Sequence, residues 1–212
     1  FPPVASSATI AVSSIVFSWS ANGNPPSTAY VGWISSDNVT FNETGRAAGT
    51  SVAISALLSN TTYYFRAQAV NNGNVATDLA VFAPAATLAA PPASAQPTAV
   101  TTGSVTANWL ANGNGPGTLF EARISTDNFA SLDASSPTLN TFVDFRGLLA
   151  GTTYFFQVRA LGRNGDVTAF TALPLTMTLP DQAAGATGFA GAAQSEGSVL
   201  WSWMDNANNE TG

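Results

Sequence analysis

The residue types that most often do chemistry in proteins are scarce in this chain. Its 212 residues include no cysteine, no histidine and no lysine, so all six cationic side chains are arginines. The chain therefore has no thiolate nucleophile and no thiolate zinc site. It also lacks an imidazole base and an amine that could form a Schiff base or a Lys–Asn isopeptide crosslink.

Carboxylates are the remaining candidates for catalysis. The chain has twelve acidic residues, and a pair such as Glu43 or Glu121 with Asp144 could in principle act as general acid and base. The acids fall singly in turns and at outward strand positions, however, and no pair recurs in an arrangement that would form a cleft. We therefore predict that the chain is not an enzyme and uses no cofactor and no metal ion.

A recurring loop motif is a second candidate for chemistry. The pattern Trp-x-[Ala/Asp]-Asn-[Gly/Ala]-Asn begins at Trp19, Trp109 and Trp203. Amide oxygens, joined by the Asp205 carboxylate in the third copy, could bind calcium or a sugar. Calcium sites normally use several carboxylates, whereas Asn and Gly are typical of tight turns. We interpret these loops as turns, and we interpret Asp37-Asn38 and Asp127-Asn128 in the same way.

Charge and hydropathy limit the partners of the chain. The net charge is −6 and only 8% of the residues are charged, so no basic face is available to bind nucleic acid or an anionic membrane. No apolar run approaches the roughly 18 residues that span a bilayer. We expect no nucleic-acid partner and no direct membrane insertion.

The motif belongs to a repeat with a period of about 90 residues. Residues 34–38 match residues 124–128, and residues 57–65 match residues 148–156. Proline-rich joints, too short to be free linkers, lie at 89–92 and near Pro180. These features predict repeat one at 1–90, repeat two at 91–180, and strands A and B of an incomplete third repeat at 181–212.

Apolar residues alternate with polar ones before each copy of the motif, which is typical of half-buried β-strands. The predicted inward sets are Ile15, Phe17 and Trp19 in repeat one, Val105, Ala107 and Trp109 in repeat two, and Val199, Trp201 and Trp203 in the third repeat. Turn signals separate seven short strands in each complete repeat. The pattern predicts an all-β chain of two packed antiparallel sheets per repeat.

The segment from Gly147 to Tyr154, Gly-Leu-Leu-Ala-Gly-Thr-Thr-Tyr, resembles the Leu-x-Pro-x-Thr-x-Tyr stretch of fibronectin type III domains. Ala150 and, in repeat one, Ser59 stand where the family has proline. The resemblance implies tandem seven-stranded Greek-key β-sandwiches of the immunoglobulin-like class. It also implies that Tyr63 and Tyr154 are tyrosine corners, in which the hydroxyl binds the backbone a few residues upstream. It implies little about function, because this fold serves many roles.

The incomplete third repeat has two interpretations. Val199, Trp201 and Trp203 form an inward face with no partner in this chain. Residues 181–212 are either part of a longer multi-repeat protein or strands that pair with a neighbouring molecule. The second arrangement would be head-to-tail and would grow into a filament.

Outward aromatic residues are candidate partner contacts. If Tyr30, Gly32 and Ile34 face the core, then Val31 and Trp33 face outward beside Tyr64 and Arg66. The corresponding residues of repeat two are Arg123 and Phe155. Trp33, Tyr64, Arg66 and Phe155 could bind a partner, or they could be half-covered cross-strand pairs. Because this face of repeat one carries both a Trp and a Tyr, we expect repeat one to bind partners more strongly than repeat two.

Four Asn-x-Ser/Thr sequons offer glycosylation sites in a host that glycosylates exported proteins. They begin at Asn38, Asn42, Asn60 and Asn209.

These features favour a structural or adhesive repeat module of an extracellular or cell-surface protein. Its partners would be copies of itself or another surface protein or glycan, and strand exchange or end-to-end contacts could build a filament. One alternative is a spacer or glycan-binding accessory region of a secreted polysaccharide-degrading enzyme. Another is a ligand-recognising ectodomain, which would bind one partner tightly and not self-associate.

Overall fold

The fold is all-β, as the alternating sequence pattern predicted. The computed structural model describes residues 1–206, and every regular element in this range is a strand. Within these residues no helix is long and apolar enough to span a membrane.

Repeat one is a sandwich of two antiparallel sheets. The first sheet has the order β1 (Val4–Ile10), β2 (Ile15–Ser20), β5 (Ser51–Ile54). The second contains β4 (Asn42–Ala47), β3 (Ala29–Ser35) and β6 (Thr62–Val70), and β6 also pairs with β7 (Ala80–Val81) and β8 (Ala85–Ala86). Pro84, which has no N–H to donate, lies between β7 and β8.

Repeat two has the same arrangement with seven strands. One sheet has the order β13 (Phe142–Arg146), β10 (Ser104–Leu110), β9 (Ala93–Ser94). The other has the order β12 (Ala134–Thr138), β11 (Leu119–Ser125), β14 (Thr153–Leu161), β15 (Thr171–Met177). The strand order confirms the predicted β-sandwich architecture.

Both cores lie between the two sheets of their repeat, and aromatic rings fill much of the space. In repeat one the rings of Phe17 and Phe65 stack with centroids 4.4 Å apart, and Phe82 meets Phe65 edge-on at 4.9 Å. In repeat two Trp109 packs against Phe120 at 5.8 Å. The rings remove large apolar areas from water, and their tilted and offset contacts add to that gain.

Both predicted tyrosine corners are present. The Leu58 N–H donates to the Tyr63 hydroxyl oxygen at 3.0 Å, and the Leu149 N–H donates to the Tyr154 hydroxyl oxygen at 2.9 Å. The corner therefore forms without the proline that the resemblance would place beside it.

Within the predicted third repeat, β16 (Thr187–Ser195) and β17 (Ser198–Met204) form a hairpin. All residues of both strands are exposed. Val199, Trp201 and Trp203 alternate along β17 and so share one face. Trp201 lies opposite Gly191, and its ring approaches that glycine closely enough that an added Cβ at 191 would stand 3.2 Å from it.

Candidate functional site

The most extensive polar arrangement in the described residues joins repeat one to repeat two. We call it the joint: the 59–61 turn before β6, the connecting segment 89–92, and the repeat-two loops at 112–118 and 161–166. The Ser59 N–H donates to the Gly113 carbonyl at 2.9 Å, and the Gly115 N–H donates to the Ser59 carbonyl at 2.8 Å. These paired backbone bonds fix the turn of repeat one against repeat two.

Asn60 is the centre of the joint and is only 1% exposed. Its Nδ2 donates to Thr118 Oγ1 and to the Leu161 carbonyl, both at 3.1 Å, and its Oδ1 accepts from the Arg163 N–H at 2.8 Å. Arg163 Nε donates to the Asn60 carbonyl at 2.9 Å. A buried amide with these bonds is stabilising, whereas the same amide without partners would be costly.

The placement of Asn60 corrects one sequence-based prediction. The Nδ2 atom that would carry a glycan is buried between the repeats and donates two hydrogen bonds, so Asn60 is a residue of the joint and not a glycosylation site in this fold. Asn38 and Asn42 are exposed and remain predicted sites. Asn209 lies outside the described residues.

Repeat two also holds the segment that connects it to repeat one. Asp166 Oδ2 accepts from the Ala89 N–H at 3.3 Å, Thr171 Oγ1 donates to the Pro92 carbonyl at 2.8 Å, and Asn164 Nδ2 donates to the Ala86 carbonyl at 2.9 Å. The contacts run from the end of β8 to the start of β9, so the connection is an ordered part of the joint.

Asparagine side chains of the recurring loops donate hydrogen bonds to the segment that leads into each repeat. Asn112 Nδ2 donates to the Pro91 carbonyl at 2.8 Å, while Asn114 Nδ2 donates to the Ala90 carbonyl at 2.7 Å and Asn114 Oδ1 accepts from the Ala90 N–H at 2.9 Å. In repeat one the first asparagine, Asn22, donates to the Pro2 carbonyl in the same way. The motif is therefore a structural clamp.

The backbone of these loops explains their composition. Asn22 and Asn112 both have φ of 53°, and each is followed by a glycine with φ near 80°, Gly23 at 79° and Gly113 at 82°. Asn and Gly tolerate this left-handed region best. Within residues 1–206 no cluster of three or more acidic side chains could hold a metal ion.

The outward aromatic patch of repeat one is partly covered. Trp33 lies opposite Arg66 across the β3–β6 pair, and Tyr64 follows on the same face. All three side chains are half-buried, and the Arg66 guanidinium stacks 3.8 Å from the centre of the Phe41 ring. Val31, which we expected to be outward-facing, is buried.

The corresponding face of repeat two is an ion-pair cluster. Glu121 forms ion pairs with Arg123 and Arg159, and in each pair a guanidinium nitrogen lies 2.6 Å from a carboxylate oxygen. Both guanidinium groups lie over the ring of Phe170, at 4.5 and 4.6 Å from its centre. Phe155 is half-buried and lies opposite Ser125. This cluster was missed by the sequence analysis, because Phe170 lies between β14 and β15, where no alternation marks its direction.

The three carboxylates considered for catalysis lie on three different strands, Glu43 on β4, Glu121 on β11 and Asp144 on β13. Partial burial raises the pKa of Glu121, but the bonds and charges of Arg123 and Arg159 outweigh this and hold its pKa below the usual value. The Thr106 hydroxyl and Arg146 lower the pKa of Asp144. A lowered pKa suits a permanent anion rather than a general acid.

Two aspartates close equivalent turns, one in each repeat. The Ser35 hydroxyl and the backbone N–H groups of Val39 and Thr40 lower the pKa of Asp37 to about 2. The Ser131 hydroxyl and backbone N–H, with the Ser125 hydroxyl, lower the pKa of Asp127 to about 2. These aspartates are turn residues.

Comparison with known proteins identifies the fold. The family model described as Fibronectin type III domain matches residues 90–174. A two-domain fibronectin type III segment of chicken tenascin superimposes with a TM-score of 0.59 at 13% identity, covering 84% of this chain and 100% of that one. The chicken CNTN1 FN1-FN3 domains align over 96% of this chain and 76% of theirs, at 15% identity and a TM-score of 0.39. No curated protein matches the sequence.

Proposed function

Residues 90–174 belong to the fibronectin type III family and the chain has that fold in tandem, and from this premise we propose that the chain is a non-catalytic structural module of an extracellular or cell-surface protein. Its task is to hold successive β-sandwiches at a fixed angle. Domains of this family are generally non-catalytic and typical of extracellular or surface proteins.

The joint is the observation that carries this proposal. Domains joined by a free linker move independently, whereas a joint with a buried, fully bonded side chain resists bending. Asn60 is such a side chain, and its partners Thr118, Leu161 and Arg163 all belong to the other repeat. A fixed joint of this kind suits a spacer, which must keep the angle between its units.

Nitrogen-15 NMR relaxation tests the spacer function, because it gives the rotational correlation time of each repeat. We expect the two repeats to tumble as one body in the unmodified chain. Asn60→Ala should separate their correlation times without unfolding either repeat, and Asn42→Ala, at an exposed asparagine, should not. Independent tumbling of the unmodified repeats would overturn the proposal.

A second function, self-association through the hairpin, rests on the exposure of β17. Trp201 is 63% exposed and Trp203 is 58% exposed, and large apolar faces of this kind mark interaction sites in soluble proteins. The partner would be another copy of this chain. Its strand would add to the edge of β17 that pairs with no strand within residues 1–206 and would cover Val199, Trp201 and Trp203. Repeated head-to-tail, this contact would build a filament.

Light scattering over a concentration series tests the hairpin contact. We expect the mass of the particles to grow with concentration in the unmodified chain and not in a chain carrying Trp201→Ser and Trp203→Ser. Val81→Ser is the matched control, since Val81 is 75% exposed on a strand of repeat one. A monomer at every concentration would eliminate self-association. A Trp33→Ser variant that lost association instead would move the contact to the outward patch with Tyr64 and Arg66.

A further inference from the structure

The end of repeat one that faces away from repeat two carries the same clamp as the joint. Asn24 Nδ2 donates to the Phe1 carbonyl, and the Phe1 nitrogen donates to Asn24 Oδ1 at 2.8 Å. Asn114 makes this same reciprocal pair with Ala90. The segment leading into repeat one is therefore held as the connecting segment of the joint is held.

A cleft lies beside this clamp, and we call it the pole cleft. It has a volume of about 280 Å³ and is lined by Phe1, Asn24, Thr28, Asn71, Asn72 and Val75. In repeat two the equivalent space is filled by the 59–61 turn of repeat one.

Four residues of repeat two that bond to this turn have equivalents in repeat one, and two of these equivalents, Thr28 and Asn72, line the pole cleft. The four residues are Gly113, Thr118, Leu161 and Arg163, and the repeat offset of 90 or 91 residues assigns their places to Gly23, Thr28, Val70 and Asn72. Glycine and threonine are kept at the first two positions. The last two positions contribute a backbone carbonyl and a backbone N–H to the Asn60 amide, and these groups survive the change of side chain. The bond from Arg163 Nε to the Asn60 carbonyl has no counterpart at Asn72.

We propose that the pole cleft is a docking site for the turn of another β-sandwich repeat, stacked end-on against repeat one. An asparagine in that turn would donate to Thr28 Oγ1 and to the Val70 carbonyl and would accept from the Asn72 N–H. This inference rests on the proposed spacer function, and it names the partner: a unit of the same fold whose turn carries asparagine where repeat one carries Asn60.

A difference at the position of Gly115 specifies the turn further. Gly115 donates its N–H to the Ser59 carbonyl, and a Cβ at position 115 would collide with Thr61 Oγ1. The pole cleft has Pro25 at this position, which offers no N–H and does carry a Cβ. The docking turn must therefore have a small residue such as alanine after its asparagine, and the Asn60-Thr61 turn of a second copy of this chain is a poor fit.

An extended chain tests the proposal. A copy of residues 1–89 is placed directly before Phe1, which gives Ala89-Phe1-Pro2-Pro3 at the new joint where the native joint has Ala89-Ala90-Pro91-Pro92. The added copy carries Thr61→Ala. Amide hydrogen exchange, measured by NMR, should show the Asn72 N–H of the original repeat one slowed by about tenfold or more relative to the unextended chain.

Two matched controls define what the exchange rates mean. Adding Asn60→Ala to the added copy should return the Asn72 N–H to its original rate, and keeping Thr61 in that copy should reduce the protection. The Arg163 N–H, which the native joint bonds to Asn60, reports on the native joint in the same sample.

The outcomes separate the two proposals. A protected Arg163 N–H with an unchanged Asn72 N–H would overturn the pole cleft and leave the spacer function intact. Unprotected N–H groups at both residues would overturn the spacer function and this inference with it. Protection of Asn72 that persists with Asn60→Ala would show that the asparagine is not what the cleft recognises, which also overturns the proposal.

Discussion

Strands β10 and β17 carry the same sequence pattern and have opposite surroundings. Trp109 and Trp203 occupy the same position of the repeated motif, yet Trp109 is 2% exposed and Trp203 is 58% exposed. Trp109 packs against Phe120 from the facing sheet, whereas the hairpin has no second sheet within residues 1–206. The alternation of a strand therefore determines which residues share a face, and the facing sheet determines whether that face is buried.

Because Trp109 is buried and Trp203 is exposed, we expect the largest loss of stability on substitution at Trp109. Trp109→Ala should lower the free energy of unfolding by about 3–5 kcal/mol, because it leaves a large cavity in a packed core. Urea denaturation followed by circular dichroism measures this effect. Trp203→Ala is the matched variant and should change the free energy by less than about 0.5 kcal/mol. Equal losses at the two positions would mean that the hairpin face is buried in solution.

The turns at the ends of the two repeats differ at one position of the repeated sequence. Repeat one has Asn60 at this position and repeat two has Gly151. Asn60→Ala should cost about 1–3 kcal/mol, because Thr118, Leu161 and Arg163 lose a buried partner and because alanine tolerates the φ of 49° at this position less well than asparagine. Gly151→Asn should change the free energy of unfolding by less than about 0.5 kcal/mol, since asparagine tolerates the φ of 59° at that position. Thermal unfolding measures both variants. A larger loss at Gly151 would contradict the asymmetry between the two turns.

Trp33 is intermediate in burial between Trp109 and Trp203. Its side chain is half-buried, so Trp33→Ala should lower the free energy of unfolding by about 1 kcal/mol, between the effects at Trp109 and Trp203. The same urea denaturation gives the order of the three variants. If Trp33→Ala were as costly as Trp109→Ala, the outward patch would have to be treated as part of the core.

The smallest effect that we predict is one of pH on the two complete repeats. Asp37 and Asp127 have pKa values of about 2 in the fold against about 3.9 in an unfolded chain. Their stabilising contribution is therefore present above about pH 4 and is lost as the pH falls toward 2. Because the chain has no histidine, the melting temperature should be nearly constant between about pH 5 and 8.

A melting curve at each pH checks this prediction. Asp37→Asn and Asp127→Asn together should make the acid decline shallower. If the melting temperature of that double variant fell with pH as steeply as that of the unmodified chain, other carboxylates would be the cause of the loss.

The features that could be predicted from the sequence are those that depend on residues close together along the chain. Alternation in β2 and β10 identified the buried residues Phe17 and Trp109, and the resemblance of the Gly147–Tyr154 segment to fibronectin type III domains implied the tyrosine corner at Tyr154. These features arise within a few residues or within one strand, where period and turn chemistry are visible.

The connecting segment 89–92 was predicted from the sequence, but the hydrogen bonds of the joint were not, because their partners are far apart along the chain. Asn60 meets Arg163 across 103 residues, and nothing in its own neighbourhood separates a buried amide from a surface sequon. Val31 was misassigned for a related reason. Alternation puts it on the outer face of β3, but it cannot show how far neighbouring side chains cover that face.

The joint also limits how a protein built from these repeats can change its length. Each residue of the connecting segment 89–92 has a bonding partner in repeat two, from Asp166 and Asn114 at its start to Asn112 and Thr171 at its end. One inserted residue would move the later partners out of reach, and such bonded segments tolerate insertions poorly. A longer or shorter array of these repeats would therefore keep the bonds of this joint only if whole repeats were added or removed.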